Sequence, residues 1–327
     1  MTRIGVKKIL LYAIALSIIC FAAISPYIYS NLYLTKTEKE QRIIIHKHCS
    51  IKCVANILKE HHITEDKFFF TAYAAALKIL GKKVIAGEYL IPAYTNNIQL
   101  AKILTSGIVV IHKVTVPEGF TIKQIYALLK NQEGVVNDTK DILYYKEGEL
   151  FPSTYEYLYG TSISSLLEKM NKKMQDILTI EWKNRDERST QKLTTPFDAL
   201  TLASIIEKEA KFNDEKPIIA SVYLNRLKKK MPLQADPTVI YAMSEWNDFN
   251  RKVTYEDLKI SSPYNTYVHR GLPPTPICVP GESSIASALH PQKTDALYFV
   301  ANKEGRHLFA SNYKQHLKNI IEVRKAN

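Results

Sequence analysis

The alternation of apolar and polar positions divides the chain into one long apolar run, a short mixed segment and a long, mainly helical tract. Residues Ile9 to Ile28 carry no charge and are mostly apolar. Twenty such residues match the thickness of a bilayer's hydrocarbon core. Past a charged linker, Ile43–Ile45 opens a short strand. Ser50 then caps a helix with Val54, Ile57 and Leu58 on one face. Thr64 or Asp66 starts a second helix, carrying Phe69, Tyr73, Ala76, Leu77 and Leu80, which Gly81 stops. Gly87–Ile91 is a second strand, ended by Pro92. A helix over Asn97–Ser106, a β-branched strand over Val109–Val116 and a helix from Thr121 to Leu129 follow. Residues 131–146 read as loop or short helix.

Beyond Gly148 the helical period of 3.6 dominates. Helices are expected from Ile163 through residue 180, from Thr195 to Ala210, over Lys216–Lys228, from Asp236 with Pro237 at the first helical position, and over Ser283–Leu289. Ala296–Val300 and His307–Phe309 read as a hairpin around 302–306, and the tail from Asn312 as a basic helix. Residues 263–281 are proline-rich with no period, which suits a rigid lid or a binding wall. The fold class is therefore α+β: an N-terminal transmembrane helix, a small α/β module, and a mainly helical domain with short strands.

The Thr195 helix carries the candidate chemistry. Its apolar positions Ala199, Leu202, Ile205 and Ile206 are followed on the same face by Glu209. Glu207 lies about 200° away, on the side of Ser204 and Lys208, and is expected to be solvated. A desolvated carboxyl has a raised pKa and serves as a general acid near neutral pH. The alternative is a glutamate at the edge of the apolar face, paired with a lysine. The nearest second carboxylates by segment are Asp214 and Asp236.

Composition narrows the partners. Apolar residues make up 46% and charged residues 23% of 327, which are globular values. The net charge of +12 suits anionic lipid, an anionic polymer or nucleic acid. No zinc-finger spacing, RNP-like motif or arginine-rich arm accompanies it, which excludes nucleic acid as the expected partner. Arg3, Lys7 and Lys8 precede the apolar run and favour a cytoplasmic N-terminus with the remainder exported. A cleaved signal peptide is the competing reading, but the run is long and ends in no small-x-small site. Four cysteines are too few for a disulfide scaffold. His46-Lys-His-Cys49-Ser-Ile-Lys-Cys53 matches no standard zinc spacing, so no metal and no cofactor is expected; a Cys49–Cys53 bridge stays open. No nucleophile elbow, P-loop or dinucleotide-binding glycine motif is present.

Two resemblances add to this. The strand–helix–helix–strand order after the linker resembles a LysM module, whose members bind N-acetylglucosamine polymers. More specifically, Ala203-Ser-Ile-Ile-Glu-Lys-Glu209, Ala220-Ser-Val-Tyr-Leu-Asn-Arg226, Leu233-Gln-Ala-Asp-Pro-Thr-Val-Ile-Tyr241, Ser262-Pro-Tyr-Asn-Thr-Tyr267, Gly271-Leu-Pro-Pro-Thr-Pro-Ile277 and His290-Pro291 with Leu297-Tyr-Phe-Val300 resemble the endolytic murein transglycosylases, the YceG-like (MltG) family. Ala242 stands where that family usually has glycine.

The resemblance implies a membrane-anchored lyase that cleaves the MurNAc-β-1,4-GlcNAc bond within peptidoglycan strands and leaves 1,6-anhydroMurNAc ends. It implies Glu209 as the catalytic residue and Gln234, Asp236, Tyr264, Asn265 and Tyr267 as residues that hold sugar or position Glu209. It further implies a cytoplasmic stretch 1–8, an anchor 9–28 in the plasma (inner) membrane, a linker 29–42, a LysM-like module with connecting elements over 43–116, and a catalytic domain over 117–327 on the outer, periplasmic side. The expected partners are glycan strands, membrane lipid through residues 9–28 and peptidoglycan synthases (penicillin-binding proteins). A hydrolytic muramidase and a non-catalytic glycan-binding scaffold are the alternatives.

Overall fold

A computed structural model describes residues 3–34, 37–46, 48–64, 66–138, 145–244 and 251–326. The chain divides into two compact units: residues 1–112 with 156–160, and 113–155 with 161–327.

The first unit begins with α1 (Arg3–Tyr33), whose stretch Leu11–Tyr33 is long and apolar enough to cross a membrane. Then come β1 (Gln41–Ile45), α2 (Ile51–Glu60), α3 (Lys67–Ile79), β2 (Gly87–Ile91) and α4 (Asn97–Ser106). The strand–helix–helix–strand order is as the pattern predicts. β1 and β2 pair antiparallel, from Gln41 opposite Ile91 to Ile45 opposite Gly87. Ile43, Ile45, Tyr89 and Ile91 point into a core completed by Val54, Leu58, Phe70, Leu100 and Leu104. Ser50 caps α2 by accepting the Cys53 N–H. Cys49 lies one residue before that cap, outside the helix, and this lets it bridge Cys53 with a Cα separation of 5.5 Å. The open question of the cysteine pair is thereby answered. Asn96 and Gln99 form a reciprocal capping box at α4, and Gly107 ends that helix with φ +76°.

The second unit takes over within β3 (Ile111–Thr115). It continues with α5 (Ile122–Lys130), the two-residue β4 (Val135–Val136), the start of β5 (Thr154–Leu158), a strand that pairs with β3 and whose residues from Glu156 on belong to the first unit, and β6 (Thr161–Ser162), which lies parallel to β4. The expected loop over 131–146 therefore contains a strand; its residues 139–144 lie outside the described residues. β5 was not expected as a strand, although Tyr155 and Tyr157 alternate inward with Thr154, Glu156 and Leu158 outward. α6 (Ile163–Asn184), α7 (Pro196–Glu209), α8 (Lys216–Lys228), α9 (Asp236–Ser244) and α10 (Glu282–Leu289) follow. The hairpin of β7 (Tyr298–Ala301) and β8 (His307–Ala310) and the terminal α11 (Tyr313–Ala326) complete the unit.

α7 is the hub of this unit's core. Every residue from Ala199 to Ile206 is buried, packed by α6, α8 and α10. Burying Leu202, Ile205 and Ile206 contributes roughly 1.5–3 kcal/mol each. The expectation of a polar side on this helix is thus corrected. Ser204 is fully buried, donates to the Thr201 carbonyl and accepts the Ile277 N–H. The proline-rich segment is a wall, since its residues 276–280 are buried against α7 and tied to residues 119–120 by backbone hydrogen bonds. Gly148, at φ +85°, permits this: a Cβ there would lie 2.6 Å from Pro276 Cγ.

Candidate active site

The capping box of Thr195 and Asp198 starts α7, and the helix ends 14 residues later at Glu209. The last turn thus carries its carboxyl out of the core and into a polar setting. Glu209 keeps partial access to solvent. Tyr223, from the middle of α8 and 1% exposed, donates its hydroxyl to Glu209 Oε1 at 2.8 Å. Among the described residues no other hydrogen bond to this carboxyl occurs, so Oε2 is left for a ligand. Burial pushes the Glu209 carboxyl up to about 7. The Tyr223 hydrogen bond and the Arg226 charge act downward, while the Asp236 charge acts upward. Protonated and ionised forms therefore coexist near neutral pH.

Arg226 lies one helical turn after Tyr223, on the same face of α8. It is buried and hydrogen-bonded: Nε donates to the Leu297 carbonyl at 2.7 Å, and Nη1 to the Leu233 carbonyl at 2.7 Å and to Gln234 Oε1 at 3.3 Å. It therefore fixes the turn that leads into α9. In that turn Gln234 adopts φ +51°, rare for a residue with a side chain, and its N–H donates to the Thr266 carbonyl at 3.1 Å. Asp236 follows at the start of α9, exposed, and accepts the Tyr267 hydroxyl at 2.5 Å. Burial and the hydrogen bond to Asp236 push the Tyr267 phenol well up, so it stays a donor.

The fold brings Glu209, Gln234, Asp236 and Tyr267 into one electrostatically linked cluster. Tyr264 lies against α9, the helix that Asp236 starts: its hydroxyl shares a 2.8 Å hydrogen bond with Thr275, and its ring lies 4.9 Å from that of Tyr241. Asn265 is different. It is 0% exposed; its amide donates to the carbonyls of Leu258 and Ile260, and its carbonyl oxygen accepts the Tyr267 N–H. Both its N–H donors are spent on the loop that presents Tyr267, and full burial keeps its side chain out of a sugar's reach. Tyr223 and Arg226 were not singled out from the sequence as site residues. Their i, i+3 spacing on α8, inside a block already marked as characteristic, was the available signal.

Glu207 is not solvated as its helical position predicts. Its carboxylate accepts from the Gly281 N–H (3.0 Å), Ser284 Oγ (2.6 Å) and Lys216 Nζ (3.3 Å), and Lys216 also donates to Ser283. Glu118 belongs to the same cluster. Burial and the neighbouring Glu207 push its carboxyl up, against the pull of Lys216. The two glutamates of α7 therefore have separate environments: Glu207 fastens the helix to α8 and α10, and Glu209 joins Tyr223, Arg226 and Asp236.

The comparisons with known proteins agree with one another. The model of the YceG-like family matches residues 43–322. An endolytic murein transglycosylase of Bacillus subtilis is 34% identical over 326 residues, covering 89% of this chain and 88% of that protein. One of Streptococcus pneumoniae is 35% identical over 183 residues, 55% of this chain and 32% of its own length. A crystal structure from Listeria monocytogenes, described as a YceG-like protein, superposes with a TM-score of 0.52 at 32% identity, covering 86% of this chain and all of that one.

Proposed function

The chain belongs to the YceG-like family, and from that premise we propose that it is an endolytic lytic transglycosylase of peptidoglycan, anchored in the plasma membrane by α1 with its second unit on the outer side. The relatives' activity and the placement of Glu209 support this reading. The observation that carries it is a single desolvated carboxyl, near half-protonated at neutral pH, with one oxygen held by Tyr223 and the other open.

Glu209 in its acid form protonates the GlcNAc O4 as the bond from MurNAc C1 breaks. The resulting carboxylate then takes the proton of the MurNAc C6 hydroxyl while that oxygen bonds to C1. The product is the 1,6-anhydro end, the carboxyl returns to its acid form, and no second carboxylate or water is consumed. Tyr223 stabilises the ionised form between the two steps. Gln234, Asp236 and Tyr267 line the approach and hold sugar hydroxyls, Tyr264 offers an aromatic face to a ring, and Asn265 keeps their loop in shape. The β1–α2–α3–β2 module is read as LysM-like and as a glycan contact.

Asp236 favours a second reading. A carboxylate electrostatically coupled to Glu209 is placed to activate water, which would make the protein a hydrolytic muramidase. Product masses separate the two. Transglycosylation gives MurNAc ends lighter by one water than hydrolysis; reducing MurNAc ends alone would refute the proposed reaction.

A further inference from the structure

α3 is apolar nearly all round, a composition that belongs to a helix covered on every side. Only half of it is covered. Phe70 and Ala74 face the core of the first unit. On the opposite side Phe68, Ala72, Ala75 and Ile79 form a stripe at i, i+4, i+7 and i+11, with Leu80 beside it, and all are exposed; Phe68 is 82% and Ile79 87% accessible. Lys78, Lys82 and Lys83 cluster, also exposed, where the stripe ends. An uncovered apolar strip bordered by lysines is the composition of a helix that lies in a lipid headgroup layer.

The position of the stripe relative to α1 identifies the occupant. Tyr27, Tyr29 and Tyr33 mark the outer end of α1 with the aromatic residues that settle at a membrane–water interface. The Tyr27 hydroxyl donates to Asp66, the residue immediately before α3. Asn97 at the start of α4 donates to the Asn31 carbonyl at 2.6 Å. Tyr94, a 68% exposed aromatic, is held to the segment that follows α1 by its N–H to the Thr37 carbonyl at 2.6 Å. The residue that leads into α3 is thus fastened to the last two turns of α1, near the end of its apolar stretch.

We propose that the Phe68–Ile79 face of α3 is a second membrane contact, seated in the outer-leaflet headgroup region of the same bilayer that α1 spans and favouring anionic phospholipid through Lys78, Lys82 and Lys83. The inference rests on α1 being inserted. Its consequence is that the module is held flat on the membrane by two attachments and does not swing on a single tether.

The test uses the full chain reconstituted in vesicles of zwitterionic and anionic phospholipid, with Phe68→Trp and Ile79→Trp introduced singly. Both sites are open, so the larger ring is accommodated. Co-flotation with vesicles reads α1 insertion. The fluorescence added by each new tryptophan, over the background of the unsubstituted chain, reads the α3 face. Brominated lipid is expected to quench most of that added emission, more in anionic than in zwitterionic vesicles, while an aqueous quencher is excluded. Flotation with full access to the aqueous quencher and no loss to brominated lipid would overturn the inference and leave the anchor standing. Failure to float would overturn both. Protection that appears only at high protein-to-lipid ratio would assign the face to a second copy, and protection that requires added N-acetylglucosamine oligomers would assign it to glycan; either result also overturns the inference.

Discussion

Tyr223→Phe isolates one contribution to the acidity of Glu209. The substitution removes a single hydroxyl from a ring that is otherwise packed in the core, and that hydroxyl's hydrogen bond is to Glu209 Oε1. The bond favours the carboxylate over the acid, so losing it raises the pKa from its present value of about 7. A hydrogen bond to a charged group contributes about 1.5–3 kcal/mol, which at 1.36 kcal/mol per unit is an upward shift of about one to two units. The first chemical step needs Glu209 protonated. The alkaline limb of kcat/KM against pH should therefore fall near pH 7 in the wild type and about one to two units higher in the variant, with lower activity at the optimum because the carboxylate formed in the first step loses its donor. Turnover of a defined glycan oligomer from pH 5 to 10 measures this. A limb that stays in place, or moves to lower pH, would refute the assignment of that limb to Glu209.

Glu209→Gln should make the fold more stable above neutral pH. A carboxyl whose folded pKa is raised is at no disadvantage below its unfolded value of 4.5; it costs stability progressively from there up to about pH 7, and the cost is constant above. With partial solvent access allowed for, the cost is about 2–3 kcal/mol by pH 8, so denaturant unfolding should favour the glutamine variant at pH 8 and show little difference at pH 4.5. Lys216→Met leaves the Glu207 carboxylate without its cation in a site where the lysine is 2% exposed, and should cost about 3 kcal/mol or more in the same assay; a loss under 1 kcal/mol would contradict the buried pairing. Asn265→Ala strips donors from the Leu258 and Ile260 carbonyls and an acceptor from the Tyr267 N–H. It should lower stability by about 2–4 kcal/mol, and a fully stable but inactive variant would instead return Asn265 to direct sugar contact.

Much of the element plan is legible because its boundaries are chemical. Thr195 with Asp198, Thr121 with Gln124, and Gly107 mark helix ends through their own hydrogen bonds or backbone freedom, and those helices begin or end where the local sequence places them. The polar side assigned to α7 failed for a reason local pattern cannot contain. Ser204 and Glu207 are polar, but Ile277, Gly281 and Ser284, distant in sequence, and Lys216 from the next helix arrive to satisfy them. Periodicity predicted a solvated Glu207 because it sees one helix at a time. The same limit hid Tyr223 and Arg226, whose roles exist only once α8 lies beside the end of α7. β5 shows its period of two in the alternation of Thr154 to Leu158, but five residues are a short run beside the helical period that dominates beyond Gly148, and no strand is expected there.

The central claim is that Glu209 alone performs both proton transfers. Digesting intact peptidoglycan with the wild-type chain and with Glu209→Gln, and counting anhydro-MurNAc ends by mass, tests it directly. The account predicts new anhydro ends within strands from the wild type and at least a thousandfold fewer from the variant, about 4 kcal/mol in the barrier, with the variant still folded. Equal anhydro product from both would contradict it.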